Sequence, residues 1–283
     1  MAIYKRVTSG ELLCAHCLFN SVVTQVRKAI NYYAMFKRGS KVLFIIRFDR
    51  PLESLTAFKA FLKASRKLDL EISILCIDIN NSICKNSLLQ LFDVSDTQME
   101  KIVVGTQYIP NGFVELIKFQ EAIGLKIAHE IKKEVIVMPL FRDELTLLAL
   151  IGILRLSKEA FGEHLPVKKN SQFKIVRPFY YVISPDVLML TYNNVLLRPL
   201  MESIEMPLTY TDVEYTLLKH AKNILWSSTE LIYSSAKSIE FLQSFMLGKG
   251  KKCSYCLGYS EDNICSYCKS FANIVDSLEY HRV

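Results

Sequence analysis

Between Lys41 and Ile79 the sequence changes periodicity twice, and this pattern narrows the possible folds more than any other feature. Lys41-Val-Leu-Phe-Ile-Ile is a short continuous apolar run rich in β-branched residues, which reads as a strand covered on both faces, the signature of a parallel sheet. Pro51 to Lys67 reads as a helix with Pro51 near its first turn, and Leu70 to Ile79 as a second strand, giving a βαβ unit. A helix over Leu18 to Met35, stopped by Arg38-Gly-Ser, precedes it. Downstream, after the Asn80 to Gln90 segment, Gln98 to Val104, Glu134 to Leu140 and Phe173 to Phe179 read as strands. Helices are expected over Asn111 to His129, Asp143 to Leu156 and Pro185 to Val195. The alternation predicts an α/β fold with a doubly wound, mostly parallel sheet, in which ligands bind at the carboxyl ends of the strands. A chain of 283 residues, half of them hydrophobic, suits one such core with small appendages.

Charge is distributed unevenly. Residues 1 to 70 carry 13 Lys and Arg against 4 acids, a local +9, so the rest of the +7 chain is −2. Such asymmetry suits a polyanion-facing half, and it equally describes a solvated helix face. The longest apolar stretch, Leu145 to Leu154, falls short of the roughly 20 residues that a membrane span requires. The N-terminus has no secretory pattern, so a cytoplasmic protein without a membrane partner is expected.

Six of the eight cysteines sit in three Cys-x-x-Cys pairs. Cys253-Ser-Tyr-Cys256 and Cys265-Ser-Tyr-Cys268 offer four thiolates from two turns, the spacing of a tetrahedral structural zinc site. An iron–sulfur cluster, two disulfides or free thiols are the alternatives. Loss of this site is expected to unfold the C-terminal module and spare the α/β core. Cys14-Ala-His-Cys17 is half a site, and metal there needs ligands from elsewhere. Cys76 reads as a small core residue and Cys84 as incidental.

A nucleotide-binding α/β domain needs a Gly- and Ser-rich turn after its first strand, so that backbone N–H groups can cradle phosphate. Here the turn is Arg47-Phe48-Asp49-Arg50-Pro51-Leu52-Glu53-Ser54. It lacks glycine, Pro51 has no N–H, and Asp49 and Glu53 repel anions. Arg47 and Arg50 could attract phosphate, or serve as surface charges facing solvent or RNA. No other catalytic set stands out: His129-Glu130 lacks the second histidine of a zinc protease helix, and His164 and His220 have no sequence-local partners.

Taken in order, Leu13-Cys-Ala-His-Cys17-Leu-Phe, Gly39-Ser-Lys-Val-Leu-Phe44, Glu134-Val-Ile-Val-Met138, Ile175-Val-Arg-Pro178 and the four C-terminal cysteines span nearly the whole chain. In that order they resemble the ATP-pyrophosphatase-type tRNA thiolases. The resemblance is greatest to the second, degenerate subunit of the eukaryotic cytoplasmic complex that 2-thiolates the wobble uridine of tRNA. It implies the adenine nucleotide alpha hydrolase-like version of the α/β fold. The catalytic subunits carry Ser-Gly-Gly-x-Asp-Ser after the first strand, where this chain keeps only Ser54, and they have core cysteines that residues 120 to 150 lack.

The resemblance therefore implies a chain that is not catalytic alone and binds structural zinc but not ATP. It would form a heterodimer with the catalytic subunit, bind tRNA, and serve sulfur transfer from a thiocarboxylated ubiquitin-related modifier. Arg27, Lys28, Lys37, Arg38, Lys251 and Lys252 are the expected RNA contacts. The division expected is an N-terminal Cys-x-x-Cys segment and basic helix over 1–38 and a degenerate α/β domain over 39–200. A helical extension over 201–250 and the four-cysteine module over 251–283 follow. An active thiolase with an unusual phosphate site, and a zinc-module protein unrelated to thiolation, are the competing readings.

Overall fold

The computed structural model describes residues 2–6, 9–79, 99–198, 220–221, 223–224, 229–248 and 250–282. The Asn80 to Gln90 segment, Cys84 and most of residues 199–228 lie outside the described residues. In chain order the elements are β1 (Tyr4–Lys5), β2 (Leu12–Leu13), α1 (Ala15–Tyr32), β3 (Lys41–Ile46), α2 (Pro51–Ser65), β4 (Glu71–Ile79) and β5 (Glu100–Thr106). Then come α3 (Phe113–Glu130), β6 (Val135–Val137), α4 (Arg142–Leu154), α5 (Lys158–Phe161), β7 (Val167–Lys169), β8 (Lys174–Val176) and α6 (Ser184–Tyr192). The last are α7 (Thr229–Met246), β9 (Lys251–Lys252), β10 (Tyr259–Ser260), α8 (Ser266–Lys269), α9 (Ala272–Ser277) and β11 (Tyr280–Arg282).

The expected α/β class is the one observed. Among the described residues a seven-stranded sheet runs β11-β5-β4-β3-β6-β8-β7, with β5, β4, β3, β6 and β8 parallel. The chain leaves β3 outward through β4 and β5, then returns to its other side with β6, so the strand order reverses beside β3. Two neighbouring residues of β3 show the double winding. The Phe44 ring meets Phe58 and Phe61 of α2, whereas a Cβ added to Gly124 of α3 would lie 2.6 Å from Ile45 Cδ1. Successive strand residues point to opposite faces, so α2 and α3 cover opposite faces of the sheet. Gly124 is what allows α3 to lie this close.

The two antiparallel edges, β7 and β11, are short and polar and carry no apolar periodicity, which left them out of the sequence reading. β11 has a structural consequence. Residues beyond the four cysteines return to pair with β5, and all four cysteines belong to the main hydrophobic cluster. The cysteine module thus packs into the same hydrophobic cluster as the α/β core, so its loss should be felt in that core as well. Among the described residues no helix is long and apolar enough to cross a membrane.

Candidate functional site

Two clusters of buried charge flank α3, one at the strand-order reversal and one at the four cysteines. At the reversal, the turn after β3 places Arg47 wholly inside the protein. Its Nε and Nη2 donate to Asp49 Oδ1 and Oδ2 at 3.1 and 2.5 Å, and its Nη1 to Glu144 Oε2 at 2.7 Å and Pro139 O at 3.2 Å. Arg50 Nε lies 3.2 Å from Glu144 Oε1 and its Nη1 3.7 Å from Glu53. Gln120 of α3 donates to Asp49 Oδ1 at 3.2 Å and accepts from Phe48 N, while Ser54 Oγ accepts from Arg47 N at 3.3 Å. Burial disfavours the charged guanidinium of Arg47, but the Asp49 and Glu144 carboxylates outweigh it and push its pKa above the usual arginine value.

The sequence reading of Arg47 as a surface charge is therefore wrong. A strand end buried on both faces carries its next side chain inward, and the carboxylates that make this tolerable come from Asp49 and from Glu144 on α4, 97 residues away. Of the expected turn residues, Arg47, Asp49, Arg50, Glu53 and Ser54 do meet, with Pro51 opening α2, and they bind one another.

On the other side of α3, Cys253, Cys256, Cys265 and Cys268 bring their Sγ atoms within 4.8 Å of one another, all fully buried. Cys256 and Cys265 Sγ are 3.9 Å apart. A tetrahedral ion with metal–sulfur bonds of about 2.3 Å spaces its thiolates by roughly 3.8 Å, so the residues fit a single metal ion. A cubane cluster interposes iron and sulfide between its thiolates and needs a wider cage. The first turn is closed by Leu257 N donating to Cys253 O at 3.0 Å and Cys253 N to Gly258 O at 2.9 Å, with Leu257 at φ 54°. Cys265 N donates to Cys253 Sγ at 3.4 Å, which helps stabilise a thiolate.

The module is fastened to α3 along its length. Ser270 Oγ donates to Glu115 Oε1 at 2.6 Å, the Phe271 ring packs edge-on to Phe119 at 5.2 Å, and Lys126 Nζ donates to the carbonyls of Val275, Asp276 and Leu278. Behind the thiolates lies a set of five buried charges. Lys118 Nζ is 2.9 Å from Glu163 Oε1 and 3.5 Å from Cys256 Sγ, and Lys168 Nζ is 2.7 Å from Glu163 Oε2 and bonded to Glu121. Arg177 Nη2 lies 2.6 Å from Glu121 Oε1 and 2.8 Å from Glu163 Oε2. Burial opposes ionisation of Glu163, yet Lys118, Lys168 and Arg177 hold its carboxyl down to about 2. Arg177 lies in the Ile175–Pro178 anchor without an assigned role, and the other four were not singled out from sequence. Their signal, charged residues inside otherwise apolar helix and strand patterns, is indistinguishable there from a solvated face.

The weaker cysteine pair differs. Cys14 Sγ accepts from Cys17 N at 3.4 Å and caps α1. Among the described residues no third Cys, His, Asp or Glu joins Cys14 and Cys17, and the one group of three or more such ligands is the C-terminal four. His16 Nε2 is engaged with Asn20 at 2.8 Å. Cys76 is buried on β4, as expected of a core residue, but its sulfur is in a disulfide, which the reading as a plain core residue did not foresee. His129 and His220 are exposed, whereas His164 is buried with Nδ1 at 2.6 Å from Phe161 O.

The expected RNA contacts lie in three places, all exposed: Arg27 and Lys28 on α1, Lys37 and Arg38 before β3, and Lys251 and Lys252 on β9. Arg38 pairs with Asp69 at 2.6 Å, and Lys252 Nζ sits 3.7 Å over the Tyr259 ring. Lys37 lines a cavity of about 230 Å³ at the amino ends of the strands together with Lys169, Lys174, Ser40 and Phe173.

No family model and no curated protein matches this sequence. Among solved structures, the chain is similar to U34-tRNA thiolase NcsA from Methanococcus maripaludis, determined with its 4Fe-4S cluster. The TM-score is 0.69 at 16% identity, covering 96% of this chain and 93% of that one, so the two share a fold. NMN synthetase from Francisella tularensis (TM-score 0.46, 9% identity, 86% and 100% covered) and NAD+ synthetase from Burkholderia pseudomallei (0.39, 9%, 81% and 91%) match less well.

Proposed function

We propose that this chain is the non-catalytic subunit of a cytoplasmic complex that 2-thiolates the wobble uridine of tRNA. In this reading it holds one structural zinc ion in Cys253, Cys256, Cys265 and Cys268. It would offer tRNA-binding surface to a catalytic partner that receives sulfur from a thiocarboxylated ubiquitin-related modifier. The fold shared with a U34-tRNA thiolase over nearly the whole chain supports the setting.

The observation that carries the non-catalytic role is Arg47. In a doubly wound sheet the crevice where strand order reverses is the place for a nucleotide phosphate. Here an internal guanidinium lies at that place, wholly buried and already neutralised by Asp49 and Glu144. An incoming phosphate would meet those two carboxylates, and Arg50 is likewise committed to Glu144 and Glu53. ATP is therefore expected to bind the partner and not this chain.

Zinc is favoured over a 4Fe-4S cluster by the 3.9 Å sulfur separation, and the proposal places metal only at the four C-terminal cysteines. The exposed Arg27, Lys28, Lys37, Arg38, Lys251 and Lys252 are proposed as phosphate contacts, with Lys169 and Lys174 added beside Lys37. The proposed division keeps the basic helix over 1–38, the degenerate domain over 39–200, the helical extension over 201–250 and the cysteine module over 251–283.

The test is copurification of the tagged chain from its native cells, with mass spectrometry of bound proteins and measurement of 2-thiouridine after depletion. Recovery of a partner bearing Ser-Gly-Gly-x-Asp-Ser together with loss of thiolation is expected. Normal thiolation and no such partner would overturn the reading, and adenylation of tRNA by the isolated chain would favour an active thiolase instead.

A further inference from the structure

The five buried charges behind the cysteines do not balance. Lys118, Lys168 and Arg177 face Glu121 and Glu163, leaving one positive charge over, and the side chains of all five are at most 1% exposed. An uncompensated buried charge is strongly unfavourable unless something opposite balances it. The group opposite is the cysteine cluster, which Lys118 reaches at 3.5 Å through Cys256 Sγ. Four thiolates around one divalent ion carry a net charge of −2. Two disulfides or four neutral thiols carry none and would leave the extra cation without a counter-charge.

We propose that Lys118 is a positioning residue of the metal site: its ammonium, oriented by Glu163, donates a hydrogen bond to the Cys256 thiolate and so governs how tightly the four cysteines retain their ion. This rests on the reading that the four cysteines hold metal. The contact is built with little slack. Gly258, which follows the first cysteine turn, faces both groups, and an added Cβ would lie 2.6 Å from Glu163 Oε1, 2.8 Å from Lys118 Nζ and 3.2 Å from Cys256 Sγ. A glycine lets the turn press directly on the ion pair. Lys118 also lies 5.6 Å from the ring centre of Tyr267, between the second pair of cysteines, so it touches both halves of the site.

The chemistry of that bond defines the test. A hydrogen bond to a ligating thiolate lowers the energy of its sulfur electrons, which raises the energy of sulfur-to-metal charge transfer, and partners that orient metal ligands typically contribute 10–100-fold in affinity. The full chain is loaded with cobalt(II) and compared with Lys118→Met by absorption and by competition with a chelator. The expected result is an affinity roughly 10–100-fold weaker and a charge-transfer band moved to lower energy.

Lys126→Met is the control. It removes a clamp on the same module that touches only the carbonyls of Val275, Asp276 and Leu278, so it should lower the melting temperature and leave the band in place. Should Lys118→Met fail to fold, Lys118→Met/Glu163→Gln, which removes one charge of each sign, carries the same readout. Unchanged affinity and an unmoved band in a variant whose parent binds cobalt would overturn the role of Lys118 alone. A parent chain that binds neither cobalt nor zinc would overturn the metal reading and this inference with it.

Discussion

The Arg47 cluster and the cysteine cluster are both buried charge brought together across α3, and they differ in the sign of the charge left over. Around Arg47, two arginines meet Asp49, Glu144 and, nearer solvent, Glu53, and no cation is left over. Behind the cysteines, three cations meet two carboxylates, and the remainder points at sulfur. In the first cluster each arginine already meets two carboxylates, so an anionic ligand would face an excess of negative charge. The second is complete only when the thiolates opposite carry negative charge, which a bound divalent ion secures. α3 carries both, with Gln120 directed to Asp49 and Lys118 to Cys256.

The largest effect that follows is on metal removal. Cys253→Ser/Cys256→Ser should lose its metal and unfold at much lower temperature throughout. Structural zinc contributes roughly 10–16 kcal/mol in isolated fingers, against about 5–15 kcal/mol for a whole domain. Metal analysis with thermal unfolding monitored on the sheet tests this, and a core that melts unchanged would contradict the integration seen at β11. A chelator should likewise lower the melting temperature of the wild type, whereas added ATP should not raise it. Arg47→Ala comes next, at about 3–5 kcal/mol, because it leaves Asp49 and Glu144 buried without their counter-ion. Replacing all three by apolar residues of similar volume should cost much less, as urea titrations would show. Equal costs would mean that the carboxylates do not need the arginine.

The contrast also explains what could be read from the chain. The βαβ pattern, the parallel strands and the four cysteines were legible because each is local: apolar runs covered on both faces, or a fixed spacing of two thiols. The seven-stranded sheet was not, since β7 and β11 are held as edges by neighbours distant in sequence and have no apolar pattern of their own. Arg47 looked like a surface charge because its partner Glu144 lies 97 residues on. Lys118, Glu163 and Lys168 escaped notice for the same reason, as Lys118 meets Glu163 across 45 residues and Cys256 across 138. Cys14 and Cys17 show the opposite case, in which a recognisable spacing finds a helix cap and, among the described residues, no third ligand.

Two smaller effects probe the packing around Glu163. His164 is buried beside it, and burial, aided by the Arg177 charge, pushes its imidazole down to about 4 from 6.5, against the pull of the Phe161 carbonyl. A lowered folded value means that the unfolded chain binds the extra proton. Stability from this group is therefore fully present above about pH 6.5 and is lost as pH falls toward 4, amounting to roughly 3 kcal/mol. Urea unfolding from pH 7 to 4 should show His164→Asn losing less stability on acidification than wild type, and parallel curves would contradict the assignment. Gly258→Ala should cost about 1–3 kcal/mol by forcing Glu163 and Lys118 apart, and weaken metal retention with it. Gly105→Ala on β5, where an added Cβ meets nothing within 4 Å, is the matched control and should change stability little. A Gly258 variant as stable as the Gly105 one would show that the turn has slack.

The smallest effect on stability belongs to the exposed cations, and it separates surface charge from both buried clusters. Lys37 and Arg38 are exposed, and Arg38 makes only the surface pair with Asp69, a kind of contact that typically contributes less than about 1 kcal/mol. Lys37→Glu/Arg38→Glu should therefore melt close to wild type. If these side chains meet RNA phosphates, each contact released lowers the dependence of log K on log salt by about 0.7 to 0.9, so the pair should reduce the slope by somewhat under 2. Fluorescence anisotropy of labelled tRNA between low and moderate salt measures that slope directly. A weaker affinity with an unchanged slope would mean that the reversal repels RNA bound elsewhere. In that case the phosphate contacts would be sought at Arg27 and Lys28, or at Lys251 and Lys252 beside the cysteine site.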